Sequence, residues 1–102
     1  MEEEIFEAIR QVLISEHTQV HKGQIMRSPA ILYNEKVFAF FSRKRRMVFK
    51  LGENYPLEGD VRPFNPFKNK GPMKGWYEVD FSHLDRWQRF AEKALNRMSQ
   101  DG

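Results

Sequence analysis

Apolar side chains at Ile5, Phe6, Ile9, Val12 and Leu13 recur at helical spacing behind an acidic first turn, where the positive end of a helix dipole favours negative charge. The spacing predicts a first helix from about Glu3 to Glu16. From His17 to Gly23 there is no period, and Gly23 marks a turn. Beyond it the pattern turns to strands. Pro29 to Tyr33 is an apolar, β-favouring run, Asn34 and Glu35 form a turn, and Lys36 to Ser42 carries Val37, Phe38, Phe40 and Phe41, so the two runs read as a hairpin. A second reversal at Arg43-Lys44-Arg45 leads into Arg46 to Leu51, where Met47, Phe49 and Leu51 share one face by two-residue alternation. Three antiparallel strands in a meander result.

Gly52 to Phe67, rich in Gly, Pro and acids, reads as an irregular connection with a short strand around Phe64, and residues 68 to 75 as a basic exposed loop. Trp76 to Phe81 then sets Tyr77, Val79 and Phe81 against Glu78 and Asp80, the alternation of a strand with one buried face. Ser82 caps a closing helix: its hydroxyl accepts the amide hydrogen of Asp85, whose carboxylate replies. Leu84, Trp87, Phe90, Ala91, Ala94, Leu95 and Met98 form that helix's apolar stripe. The expected fold is a single α+β domain over residues 1–102, in which N- and C-terminal helices lie on a curved antiparallel sheet of four to five strands in two layers. Trp76 and Trp87 are expected to anchor the junction of sheet and helix.

Composition narrows the class. At 102 residues the chain holds one core, and 30% charged residues of mixed sign beside 40% hydrophobic ones describe a globular protein rather than a disordered tail. There is no cysteine, so disulfide and thiolate chemistry are excluded, and the cytoplasm is the expected compartment. The start Met1-Glu2-Glu3-Glu4 is the opposite of the basic start of a secretory signal, and no apolar run approaches a membrane span. The formal net charge of +3 is unevenly spread. Residues 1–21 carry one Arg against five Glu, whereas residues 22–75 carry twelve Lys or Arg against four acids. The middle of the chain therefore holds the basic excess.

Two stretches carry a family likeness. Residues 23–41, Gly-Gln-Ile-Met-Arg-Ser-Pro-Ala-Ile-Leu-Tyr-Asn-Glu-Lys-Val-Phe-Ala-Phe-Phe, resemble the start of the N-terminal domain of the competence regulator TfoX, with Glu35 standing where that family often has Gly in the turn. Met73-Lys74-Gly75-Trp76-Tyr77-Glu78-Val79, followed by Asp85-Arg86-Trp87, is similar to the Met-Lys-x-Trp-x-x-Val and Asp-x-Trp pattern of small TfoX-like domains and of their MmcQ/YjbR-like relatives. The resemblance implies a fold similar to the type III secretion chaperones. It also implies a regulatory, non-enzymatic role with no assigned catalytic residues and no cofactor.

Candidate chemistry is sparse. His17 and His21 have the i, i+4 spacing that lets two imidazoles share a metal on a helix, but Glu16 is the only carboxylate nearby, no third ligand is evident, and such pairs are far more often solvated histidines at a helix end. Ser82, His83 and Asp85 include the residue types of a triad, and capping accounts for Ser82 and Asp85. Arg43, Lys44, Arg45 and Arg46 at a hairpin tip, with Lys68, Lys70 and Lys74 in a later loop, can form one electropositive lobe for phosphates, or a solvated basic rim. On the strand from Lys36, strict alternation points Val37, Ala39 and Phe41 one way and Phe38 and Phe40 the other. With helices on one side only, Phe38 and Phe40 would make an apolar outer surface suited to a homodimer or a protein partner, with Met73 and Trp76 beside a small cleft. The function expected is a regulatory or protein-interaction module. Nucleic-acid binding through the basic positions is the alternative, and a metal-dependent enzyme a remote third.

Overall fold

The computed structural model describes residues 2–53, 55, 61–65, 73–79 and 86–101. Two helices, α1 (Glu2–Glu16) and α2 (Trp87–Asp101), pack on a six-stranded antiparallel sheet made of β1 (Val20–Ile25), β2 (Ser28–Tyr33), β3 (Lys36–Phe41), β4 (Met47–Lys50), β5 (Arg62–Pro63) and β6 (Trp76–Val79). The order across the sheet is β1-β2-β3-β4-β6-β5. The α+β architecture is the one expected, with one strand more than the upper expectation. The added strand is β1, in a stretch that sequence periodicity assigns to a turn. Its residues are mostly polar and exposed, as suits a sheet edge, and its hairpin to β2 turns on Met26 and Arg27 rather than on Gly23. The cap assigned to Ser82 and Asp85 lies outside the described residues, as do His83, Leu84, Asp80 and Phe81.

The main core lies between the sheet and the helices. Phe6, Ile9 and Leu13 of α1 and Trp87, Phe90, Ala91, Ala94, Leu95 and Met98 of α2 meet Val20, Ile31, Met47, Phe49, Tyr77 and Val79. Helical and two-residue spacing explain nearly all of these positions. Val12 is the exception, being exposed, while Arg10 is buried in its place on the next turn position of the stripe. Arg10 is held there by four contacts, one of them the ion pair of its Nη2 with Glu7 Oε2. Its Nη1 donates to the Ala30 carbonyl at 3.1 Å, its Nε to Glu7 Oε1 at 3.1 Å, and its guanidinium lies 5.3 Å from the centre of the Phe6 ring. A buried cation is tolerable only when its donors are matched, and here the bond to Ala30 ties α1 to β2 while Glu7 balances the charge within the helix.

Strand β3 departs from simple alternation. The register pairs Ile31 with Ala39 and Leu32 with Val37, so Phe38 has no partner of its own on β2 and forms a β-bulge. The extra residue reverses the faces of what precedes it. Phe38, Ala39 and Phe41 join the core under the helices, whereas Val37 and Phe40 lie on the outer face. Phe38 therefore does not belong to the outer surface, contrary to the strict alternation, and both Phe38 and Phe40 are covered by this chain itself, at 0% and 1% exposure.

The connection from β4 to β6 closes on two glycines. Gly75, at φ 85°, occupies the third position of a turn in which the Trp76 amide donates to the Met73 carbonyl at 3.2 Å; the Gly75 carbonyl then accepts from the amides of Leu51 and Gly52. The Tyr77 hydroxyl donates to the Gly52 carbonyl at 2.9 Å and binds the same corner from the core side. Met73, Lys74 and Gly75 are thus a structural turn.

Arg10→Ala should destabilise the protein by roughly 1–3 kcal/mol, because it leaves the buried Ala30 carbonyl without its donor, and Arg10→Lys should recover only part of that loss for want of the guanidinium fork. Denaturant unfolding of the two variants checks this.

Candidate functional site

The outer face of the sheet carries a second, smaller apolar cluster of Ala30, Phe40, Val48 and Phe64. Cross-strand register puts Ala30, Phe40, Val48 and Glu78 in one row, opposite Arg62 at the edge. After β5 the chain folds over this row. The Phe64 amide donates to the Trp76 carbonyl at 2.9 Å and the Met73 amide to the Phe64 carbonyl at 2.8 Å, which fixes the Phe64 ring edge-on to Phe40 with 5.4 Å between centroids. Trp76 also packs against Phe40, tilted, with 5.6 Å between centroids. Trp76 is therefore a half-buried outer-face residue and only Trp87 is a core anchor, because Tyr77 and Val79 take the inward positions of β6. Ile25, Leu32, Val37, Met73 and Trp76 remain half-buried around the cluster.

At one end of this face is a cleft of about 390 Å³. Phe40 and Phe64 form its floor. One wall is the β1–β2 turn with Met26 and Ser28, the other is the β3–β4 turn with Ser42, Arg43 and Lys44, and Asn65 and Glu78 also line it. Both walls are shaped by left-handed backbone. Met26 and Arg27 sit at φ 50° and 67°, the type I′ loop that Asn-Gly ordinarily makes, and the Met26 side chain is left 52% exposed. In the other turn the Arg45 amide donates to the Ser42 carbonyl at 3.0 Å and Arg45 follows at φ 61°, while the Ser42 amide donates to the Arg46 carbonyl at 2.8 Å. In the β2–β3 turn the positive φ falls on Asn34, at 55°, and not on Glu35.

The β3–β4 turn divides its four cations into two kinds. Arg46 pairs with Glu78 at 3.3 Å and Arg45 with Glu2 at 3.7 Å, so these two tie the turn to β6 and to the first turn of α1. Arg43 and Lys44 have no ionic partner among the described residues, are exposed, and line the cleft. Lys74 does not join them. The β4–β6 ladder runs from Met47↔Val79, next to the Arg43–Arg46 turn, to Lys50↔Trp76, next to Lys74, so at least ~10 Å of strand separates the two basic positions. Lys74 lines a different cleft with Glu53, Tyr55 and Tyr77. Lys68 and Lys70 lie outside the described residues.

The paired-histidine reading is not supported by the backbone. Helix α1 ends at Glu16 and His21 is on β1, so the two imidazoles share no helical face, and no group of three metal-ligating side chains occurs among the described residues. His21 instead lines a polar cleft of about 750 Å³ with Tyr33, Asn34, Lys36 and Lys50. No helix among the described residues is long and apolar enough to cross a membrane. No protein-family model, curated protein or solved structure matches the chain.

Sequence spacing missed the cleft because its parts come from four separated segments. The one local signal was the mismatch between Met26-Arg27 and the Asn-Gly expected of a two-residue hairpin loop.

The division among the cations is measurable. Arg43→Ala with Lys44→Ala should leave stability within about 0.5 kcal/mol, whereas Arg46→Ala should cost about 1 kcal/mol because the largely buried Glu78 carboxylate loses its partner. Urea denaturation of the two variants distinguishes the two kinds.

Proposed function

We propose that this protein is a regulatory, protein-interaction module of the TfoX-like kind rather than an enzyme, working in the cytoplasm and engaging its partner through the sheet face turned away from the helices. The observation that carries the reading is that β3 and its neighbours are apolar on both sides while, among the described residues, helices cover only one. The outer side keeps Ile25, Leu32, Val37 and Trp76 half-buried around the Phe40 cluster, and Arg43 and Lys44, which have no ionic partner among the described residues, lie on the same side. Surfaces of this composition, an apolar centre with a charged rim, are the usual basis of protein contacts. A second copy of this chain is the first partner to consider, since a self-complementary strip builds a symmetric dimer.

Sedimentation equilibrium and affinity capture test this. Association should be abolished by Leu32→Gln with Val37→Thr and unaffected by Gln88→Ala with Glu92→Ala on the exposed side of α2. A monomer that retains no partner overturns the proposal, as does association that survives the outer-face substitutions.

A second reading, nucleic-acid binding, has Arg43 and Lys44 in its favour, because they are cations left uncommitted by the fold. It requires retention of DNA at low salt that falls steeply as salt rises and disappears in the Arg43→Ala, Lys44→Ala variant. Unchanged retention in that variant removes this reading.

A further inference from the structure

We infer that the cleft between the β1–β2 and β3–β4 turns is a binding site for a small organic anion with an aromatic or similarly flat apolar body and a single carboxylate head. Its volume, about 390 Å³, lies at the lower end of the range for small-molecule sites and suits one or two rings. The floor is aromatic and held in place, since Phe40 packs against both Phe64 and Trp76 and the Phe64 backbone is hydrogen-bonded through its amide and its carbonyl. An apolar ring laid there meets two nearly perpendicular aromatic rings.

Charge sets the orientation. Glu78, deep in the cleft at 14% side-chain exposure, is offset by Arg46, so the uncompensated charge is that of Arg43 and Lys44 at the rim. An anionic head is attracted to the rim and repelled from the inner wall, while a neutral body goes inward. The polar groups present agree. Ser28 lines the cleft, and its hydroxyl is open to it rather than orphaned in the core, so it can donate to or accept from a ligand there.

Met26 supplies the lid. A methionine held 52% exposed, at positive φ, beside an aromatic floor is an unfavourable arrangement for the free protein on two counts. The exposure is relieved when the flexible thioether closes over an apolar ligand; the positive φ stays and holds the side chain where it can close. Backbone strain of this kind persists at binding sites because the surrounding register imposes it, here through the flanking pair Ile25↔Ser28.

The test uses the whole chain labelled with ¹⁵N and titrated with phenylacetate and, separately, with its neutral counterpart phenylacetamide. Phenylacetate should shift the amides of Ser28, Ser42, Lys44 and Asn65 saturably and bind roughly tenfold more tightly than phenylacetamide, and Arg43→Ala with Lys44→Ala should erase that preference. Met26→Asn with Arg27→Gly, which gives the turn its ordinary residues, should raise the melting temperature and weaken phenylacetate binding. Absence of saturable shifts at those amides overturns the inference, as do equal affinities for the two probes, or a preference that survives loss of both cations. None of these outcomes bears on partner association through Leu32 and Val37, so the two proposals fail separately.

Discussion

Strand β3 has to bury four consecutive side chains, and the rest of the molecule is arranged to let it. Phe38, Ala39, Phe40 and Phe41 are all buried, which a flat strand with one covered face does not permit. The bulge at Phe38 solves half of the problem by sending Phe38, Ala39 and Phe41 toward the helices. Phe40 is left on the outer face, and the chain answers with Phe64 and Trp76 brought back over it from β5 and β6. The cleft is a by-product of that cover. Two rings placed over Phe40 protect it but do not extend to the end of the row, and the two hairpin turns rise on either side of the gap.

This explains which parts of the molecule are legible in the sequence. Positions with a clean period, such as Met47 and Phe49 or Trp87, Phe90, Ala94 and Met98, are where spacing places them, because one buried face per element is the condition that periodicity detects. Strand β1 escapes it. In Val-His-Lys-Gly-Gln-Ile the only apolar residues, Val20 and Ile25, lie on opposite faces of an edge, so no alternation develops. Phe38 escapes it too, since a bulge is a one-residue insertion into the ladder and a run of phenylalanines carries no mark of where the insertion falls. Arg10 sits in the apolar stripe of α1, yet a cation counts as solvent-facing until its acceptor on another strand is known.

The site was less legible than the fold for a related reason. The basic run at residues 43–46 stands out in the sequence as a unit, but hairpin geometry gives its members different neighbours. The left-handed residue Arg45 is carried toward Glu2, and Arg46, next to the first residue of β4, toward Glu78. Those two are consumed by the fold. What remains for a ligand is the pair at the outermost positions of the loop, and its position next to Phe40 and Phe64 follows from cross-strand pairing and not from any local motif.

The two turns that frame the cleft are built alike in one respect: each places long side chains where the backbone favours Gly or Asn. Left-handed backbone costs a non-glycine residue on the order of 1 kcal/mol, and Met26, Arg27 and Arg45 each bear it. For Arg45 an ion pair with α1 offers a return within the folded chain. Met26 has none, for its side chain extends into solvent over the cleft. A residue that is costly in backbone and exposed in side chain adds nothing to the stability of the isolated molecule, so the reason for its place is to be sought in what the cleft holds.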